Sequence, residues 1–188
     1  MMHQKSRNTI LVAAVAGIAI LAVLYGIMRS HVHAGPPASL APFALASPAK
    51  AVPLVAFEDT SGKHHTLAEF HGRYVLLNLW AVWCAPCVKE LPALARLGQA
   101  VPPGQLAVIA VDVGREGASD AAGFLKAHGA VSLKPYVDGD LALMRAFEAE
   151  GLPLTVLIDP NGREIGRAEG GAAWDTPEAI AYFKSLQP

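Results

Sequence analysis

The sequence of 188 residues contains only two cysteines, and this scarcity restricts the sites that the chain can build. A structural zinc site needs about four ligands, so a single cysteine pair supplies half of them and histidines would have to complete the set. Basic charge is lacking as well, since 15 Lys and Arg against 16 Asp and Glu give a formal net charge of -1. Without a basic field, we expect no nucleic-acid partner.

Charge of either sign is missing from residues 9–28, which are almost wholly apolar. As a helix rising about 1.5 Å per residue, this stretch would cross a hydrocarbon core of about 30 Å. Lys5 and Arg7 precede it, and this basic excess places the N-terminus in the cytoplasm. We predict a cytoplasmic tail at 1–8 and a single-pass anchor at 9–28 in the inner membrane, with the rest of the chain on the periplasmic or extracytoplasmic side. A signal peptide cleaved after Ala34 is the alternative, and it also exports the domain.

The chain beyond the anchor divides into two parts. Residues 29–51 are rich in proline, alanine and serine without helical or strand periodicity, so we expect an extended tether. From Val52 onward, helical stretches separate apolar runs typical of buried strands, at 74–80, 106–111 and 154–158. The Asp-Pro-Asn-Gly sequence after the last run predicts a hairpin. This alternation predicts an α/β domain over residues 52–188, with a central mixed sheet flanked by helices.

Both cysteines lie in the Trp-Cys-Ala-Pro-Cys sequence at 83–87, after a predicted buried strand and at the start of a predicted helix. Unpaired backbone N–H groups and the helix dipole favour negative charge there, so we expect a stabilised Cys84 thiolate. Cys87, one turn further in, is expected to be more buried and to resolve a mixed disulfide. A structural disulfide is an alternative, although so short a loop removes little entropy from the unfolded chain. A c-type haem site is excluded because Val88 replaces the required histidine.

Residues 79–92, LWAVWCAPCVKELP in one-letter code, resemble the active-site segment of TlpA- and ResA-like thiol-disulfide oxidoreductases. The likeness extends over most of residues 52–188, and the Gly-Leu-Pro-Leu-Thr sequence at 151–155 resembles the family's cis-proline loop. It implies a thioredoxin fold and a redox-active Cys84–Cys87 disulfide that works without a cofactor or metal. As partners it implies extracytoplasmic protein disulfides and a membrane electron donor, with service in cytochrome c maturation or copper-oxidase assembly.

Further residues of the site are expected around the cysteines. By resemblance, Glu90 transfers protons to and from the thiols, although a solvated surface glutamate is the alternative. Pro153 is expected to be cis and to pack against the Cys84 sulfur, while the backbone of Leu152 pairs with an extended substrate segment. Trp83 is expected to form an apolar platform at the exposed rim. The predicted substrate-binding residues are Trp83, Ala85, Pro86, Leu152 and Pro153.

Two rival functions use the same residues differently. A thiol peroxidase would resemble the pattern Pro-x-x-x-Thr/Ser-x-x-Cys, but Leu77 and Ala81 stand at its two key positions before Cys84. A copper-binding chaperone could use the two thiols with some of the seven histidines. Copper chaperones of this fold resemble a C-x-x-x-C pattern, whereas the spacing here is C-x-x-C, and this spacing favours redox exchange.

Overall fold

The computed structural model describes residues 35–114 and 118–187. The predicted tail at 1–8 and anchor at 9–28 lie outside the described residues. Within the described ranges, no helix is both long enough and apolar enough to cross a membrane.

Strands and helices alternate along much of the described chain. The strands are β1 Ala44–Ala51, β2 Ala56–Asp59, β3 His64–Thr66, β4 Tyr74–Trp80, β5 Leu106–Asp112, β6 Pro135–Val137, β7 Leu154–Ile158 and β8 Arg163–Glu169. The α-helices are α1 Ala85–Ala100, α2 Ala118–Ala127, α3 Ala142–Ala146 and α4 Pro177–Ser185. Short 3-10 helices occupy Ala38–Leu40 and Leu67–Phe70.

The strands form one mixed sheet in the order β1-β8-β7-β4-β5-β6-β2-β3. The β4–β5 and β5–β6 pairs are parallel, and the other pairs are antiparallel. Strands β7 and β8 form the predicted hairpin, in which Asp159 accepts hydrogen bonds from the Asn161 and Arg163 backbone. The predicted α/β architecture with a mixed sheet is therefore confirmed.

Strand β4 lies in the middle of the sheet and is buried on both faces. Leu76 and Trp80 belong to one core cluster, and Leu77 and Leu79 belong to the cluster on the opposite face. Side chains alternate between the faces of a strand, so a strand covered on both sides reads as a continuous apolar run. The same alternation puts Asn78 on the face of Leu76 and Trp80.

The folded domain begins earlier than the sequence predicts. Leu40 and Phe43 are buried in the core, and β1 pairs with β8 at the edge of the sheet. The tether prediction for 29–51 is therefore wrong for residues 35–51. Most of β1 is exposed and its pairing register is interrupted between Leu45 and Lys50, so this strand shows neither apolar alternation nor a buried run.

The buried position of Leu40 gives a direct test of this correction. Leu40 is 0% exposed, whereas Leu54 is 87% exposed. We expect Leu40→Ala to lower the free energy of unfolding by about 2–5 kcal/mol, the usual range for a wholly buried leucine. Leu54→Ala is the matched control and should change it by less than about 0.5 kcal/mol. Equal, small effects in urea unfolding would show that the 35–51 segment is not part of the core.

A histidine holds the β2–β3 hairpin to the following 3-10 helix. The His65 ring is almost wholly buried, with Nδ1 2.9 Å from Glu69 Oε2 and Nε2 3.1 Å from Asp59 Oδ2. The hydrogen bonds with Glu69 and Asp59 raise the pKa of His65. The Ser61 hydroxyl and, after it, His65 lower the pKa of Asp59 by hydrogen bonding. The hydrogen bond with His65 likewise lowers the pKa of Glu69.

Stability should therefore depend on pH through His65. A histidine whose pKa is raised by folding stabilises the native state below its unfolded pKa of about 6.5, and this contribution is lost as pH rises through the folded pKa. We expect the difference in unfolding free energy between the wild type and His65→Gln to be largest near pH 6 and to shrink towards pH 9. His64→Gln, at the exposed neighbouring position, is the control. A difference that does not change with pH in urea unfolding would contradict this assignment.

Candidate active site

The two cysteines lie where β4 passes into α1. Cys84 is the N-cap of α1, and its Sγ accepts a hydrogen bond from the Cys87 N–H at 3.4 Å. The two residues form a disulfide. Cys84 is 5% exposed and Cys87 is 0% exposed, so the predicted order of burial is confirmed. The same backbone N–H would stabilise a Cys84 thiolate after reduction.

The surface beside Cys84 is formed by the predicted substrate-binding residues of the motif. Trp83 is 67% exposed, which is unusual for so large an apolar side chain. Ala85 and Pro86 are exposed as well. By contrast Trp80, four residues before Cys84, is wholly buried in the core. The exposed indole of Trp83 can therefore contact a partner, as the sequence predicts.

The Leu152–Pro153 peptide bond is cis, which confirms the predicted isomer. Leu154, which opens β7, pairs with Leu79 near the end of β4. Pro153 thus lies beside the end of β4, the end from which the chain continues towards Cys84. The Pro153 carbonyl accepts a hydrogen bond from the Gly170 N–H at 2.9 Å, which ties this loop to the segment after β8. The predicted packing of Pro153 against the Cys84 sulfur stays a prediction.

Glu90 lies on the buried side of α1, one turn after Cys87, and is 4% exposed. The alternative of a solvated surface glutamate is therefore wrong. Its Oε1 accepts from Asn78 Nδ2 at 2.8 Å. Its Oε2 accepts from Trp174 Nε1 at 2.8 Å and from the Ala172 N–H at 3.2 Å. Burial raises the pKa of Glu90, and the three hydrogen bonds oppose that rise without cancelling it.

Three side chains of this network were not predicted as site residues from the sequence: Asn78, Thr155 and Trp174. Asn78 donates to both Glu90 and Thr155, which are its neighbours on α1 and on the paired strand β7. Trp174 is wholly buried and packs against Phe43 and Phe183. One signal was available, because an asparagine inside a buried apolar run must find polar partners.

A cavity of about 570 Å³ opens beside Glu90, between α1 and the segment after β8. Its charged lining residues are Lys89, Arg96 and Asp175 in addition to Glu90. Arg96 and Asp175 form an ion pair with a distance of 2.6 Å between Nε and Oδ2. Glu90 lines this cavity and Asn78 does not.

The described part of the chain shows no metal site that would serve a copper chaperone. His65 is held by Asp59 and Glu69, and the tether residues His31 and His33 lie outside the described residues. Across residues 35–114 and 118–187, no three His, Cys, Asp or Glu side chains form a group that could hold a metal ion.

Comparison with known proteins assigns the family. The model of the AhpC/TSA family matches residues 48–163, which is more than half of the chain. The chain belongs to the AhpC/TSA family.

The chain is also similar to individual thiol-disulfide oxidoreductases named ResA. It is 34% identical to ResA of Bacillus subtilis (strain 168) over 60% of this chain and 62% of that protein. It is 30% identical to ResA of Geobacillus kaustophilus (strain HTA426) over 69% of this chain and 72% of that protein.

The matched stretch thus spans less than two thirds of the B. subtilis relative, although the resemblance stated from the active-site motif is confirmed. Among solved structures, the thioredoxin domain of a thiol-disulfide oxidoreductase from Bacteroides vulgatus is similar with a TM-score of 0.61 and 21% identity, covering 73% of this chain and 95% of that one. At this identity the likeness concerns the fold alone. The AhpC/TSA domain therefore has a thioredoxin-like fold.

Proposed function

We propose that this AhpC/TSA protein is a thiol-disulfide oxidoreductase that reduces disulfides in partner proteins. The observation that carries the proposal is the Cys84–Cys87 disulfide at the N-terminus of α1, with the more reachable Cys84 beside an exposed tryptophan. The relatives named ResA support the same chemistry.

The proposed reaction begins with the reduced protein. The Cys84 thiolate attacks one sulfur of the substrate disulfide, which forms a mixed disulfide and releases the first substrate thiolate. The Cys87 thiol then loses its proton and attacks Cys84 Sγ, which re-forms the Cys84–Cys87 disulfide and releases the second substrate thiolate. Two electrons pass from the protein to the substrate, and the two released thiolates take up protons. No other group is oxidised or reduced.

Glu90 supports this reaction as the base for Cys87. Both residues lie on the buried side of α1, three positions apart, and so share one face of the helix. Burial raises the pKa of Glu90, which brings its proton affinity closer to that of a thiol. The proton that leaves Cys87 can reach solvent through the cavity beside Glu90.

The substrate would bind across the rim of this site. Trp83 offers an apolar platform, and the backbone of Leu152 before cis-Pro153 offers hydrogen bonds to an extended segment. Ala85 and Pro86 are exposed and complete the surface that a partner can touch. We infer that the partners are extracytoplasmic proteins with disulfides, such as those of cytochrome c maturation or copper-oxidase assembly.

The residues before Cys84 argue against a thiol peroxidase. At the two positions of the peroxidase pattern, Leu77 and Ala81 are apolar and wholly buried, and neither side chain can donate a hydrogen bond to a peroxide near Cys84. The Cys84–Cys87 disulfide instead provides the dithiol pair that can reduce a substrate disulfide through a mixed-disulfide intermediate.

One experiment separates these activities. The reduced protein is mixed with an oxidised protein disulfide, with hydrogen peroxide or with Cu(I), and the masses of alkylated cysteines are followed over time. We expect rapid formation of the Cys84–Cys87 disulfide with stoichiometric reduction of the protein substrate. Turnover of peroxide faster than that of the disulfide would favour the peroxidase, and tight Cu(I) binding without exchange would favour the copper chaperone.

The location of the domain is part of the proposal. The uncharged apolar stretch at 9–28 and the basic residues before it support a single-pass anchor in the inner membrane, with the catalytic domain outside. A membrane electron donor that re-reduces the domain is proposed from the resemblance to TlpA- and ResA-like proteins. Intact cells treated with a membrane-impermeant thiol reagent test this placement. We expect Cys84 to be labelled after mild reduction, whereas labelling only after lysis would place the domain in the cytoplasm.

A further inference from the structure

Asn78 is wholly buried in β4, yet only one end of its side-chain amide is paired. Nδ2 lies 2.8 Å from Glu90 Oε1 and 2.9 Å from Thr155 Oγ1, so both of its hydrogens are donated. Oδ1 is buried too, and it accepts no hydrogen bond from any residue in the described part of the chain. An unpaired buried acceptor is unfavourable and calls for a physical reason.

The three hydrogen-bond donors around Glu90 suit its ionised, carboxylate form. Asn78, Trp174 and the Ala172 backbone all donate to the carboxyl group, and a carboxylate accepts from all three. A proton on Oε1 can use the lone pair that Asn78 leaves free, but the new O–H then finds no acceptor among these three donors. A proton on Oε2 would displace one of the two donors there, because both lone pairs of that oxygen are in use. Oε1 is therefore the oxygen at which protonation displaces fewer contacts.

A half-turn of the Asn78 amide gives the new O–H an acceptor, towards which that O–H can rotate. The turn places Oδ1 where Nδ2 was, within reach of both Glu90 Oε1 and Thr155 Oγ1. The Thr155 hydroxyl can donate as well as accept, so it pairs with either end of the amide. In both orientations one end of the amide is unpaired, so the turn exchanges one unpaired group for the other.

Within residues 35–114 and 118–187, the other groups that hydrogen-bond Glu90 do not provide such an acceptor. Trp174 Nε1 and the Ala172 N–H are donors on the segment after β8. Thr155 on β7 reaches Glu90 only through Asn78. The charged groups lining the cavity beside Glu90 are Lys89 and Arg96 of α1 and Asp175, which is engaged with Arg96. The remaining titratable residue near Glu90 on α1 is Cys87, which is bonded to Cys84 in the disulfide.

We propose that Asn78 is a positioning residue that follows the proton on Glu90, donating through Nδ2 to the carboxylate and accepting through Oδ1 from the protonated acid. This inference rests on the proposed function, in which Glu90 takes the proton of Cys87. Asn78 thereby pairs with both states of the buried carboxyl group, so the O–H that forms on Oε1 during each turnover has an acceptor.

The test is an NMR titration of the full-length reduced chain, with carbon-13 in the glutamate carboxyl groups and nitrogen-15 in the asparagine side chains. We expect the Asn78 amide signals to shift with the midpoint of the Glu90 carboxyl carbon. The NOEs from the Asn78 amide protons to Glu90 and Thr155 should disappear when Glu90 is protonated. Amide NOEs that persist throughout the Glu90 titration would overturn the proposal.

Two variants add a quantitative criterion. Asn78→Leu removes a group that serves both states, so the pKa of Glu90 should move by less than about half a unit. Trp174→Phe removes a group that can only donate, so the pKa should rise by about one unit, a tenfold change in proton affinity. Equal rises in both variants would show that Asn78 is a fixed donor and would overturn the proposal.

The outcome also separates this inference from the role of Glu90. If the amide turns with the Glu90 titration while Glu90→Gln exchanges disulfides at the wild-type rate, the coupling to Asn78 is upheld and the proposed role of Glu90 is overturned.

Discussion

Replacing Cys87 with serine is expected to convert the reduced protein from a reductant into a trap. The Cys84 thiolate still attacks the substrate disulfide, but no second thiol is present to release it, so the mixed disulfide accumulates. Cys84→Ser should instead lose exchange altogether, because Cys87 is 0% exposed and cannot reach a substrate disulfide. Non-reducing gels and mass spectrometry of the trapped adduct measure both results.

The comparison of the two serine variants contains its own control. Each removes the Cys84–Cys87 disulfide in the same way, so a loss of stability caused by that removal affects both. Adduct formation by Cys84→Ser instead of Cys87→Ser would reverse the assigned roles of the cysteines. Full exchange activity in either variant would show that the chemistry does not pass through this pair.

Glu90→Gln is expected to slow the resolving step more than the first attack. A general base near a reacting group contributes roughly 100- to 10,000-fold, and we expect a loss of at least about 10-fold in the release of the substrate. The wild-type rate should fall as pH drops through the raised pKa of Glu90, since the protonated acid cannot take a proton from Cys87. The variant should lack this part of the pH profile. Stopped-flow measurements of the first attack and of release separate the two steps.

A matched replacement isolates the effect of position. Glu178 is exposed in the first turn of α4, and Glu178→Gln removes the same charge away from the site. We expect it to keep the wild-type rates and pH profile. If Glu90→Gln behaves like Glu178→Gln, the buried carboxyl group has a structural role and takes no part in proton transfer.

The parts of the fold that sequence reasoning predicted are those set by local pattern. The apolar run of β4 has the composition of a strand covered on both faces, and the structure places this strand in the centre of the sheet. The position of Cys84 as a helix N-cap follows from the junction of this strand with a helix. The cis isomer at Pro153 came from family resemblance, since periodicity carries no information about a single peptide bond.

The parts that were missed depend on contacts between distant segments. Strand β1 is held by pairing with β8, more than a hundred residues later in the chain, so its own exposed sequence reads as a tether. The hydrogen bonds of Glu90 come from Asn78 on β4 and from Ala172 and Trp174 after β8. Sequence spacing placed Glu90 beside Cys87 along α1, but only the packed domain shows which groups enclose its carboxyl oxygens.

The most direct test of the central claim is the reduction potential of the Cys84–Cys87 pair. The protein is equilibrated in glutathione or dithiothreitol buffers, and the oxidised fraction is read from alkylated cysteines, with Cys84→Ser as the control. We expect a single two-electron transition more negative than about -200 mV, on the side of thioredoxin, as a dedicated reductant requires. A value near -120 mV, typical of strong disulfide donors, would contradict the proposed direction. Failure to equilibrate would contradict the enzymatic role itself.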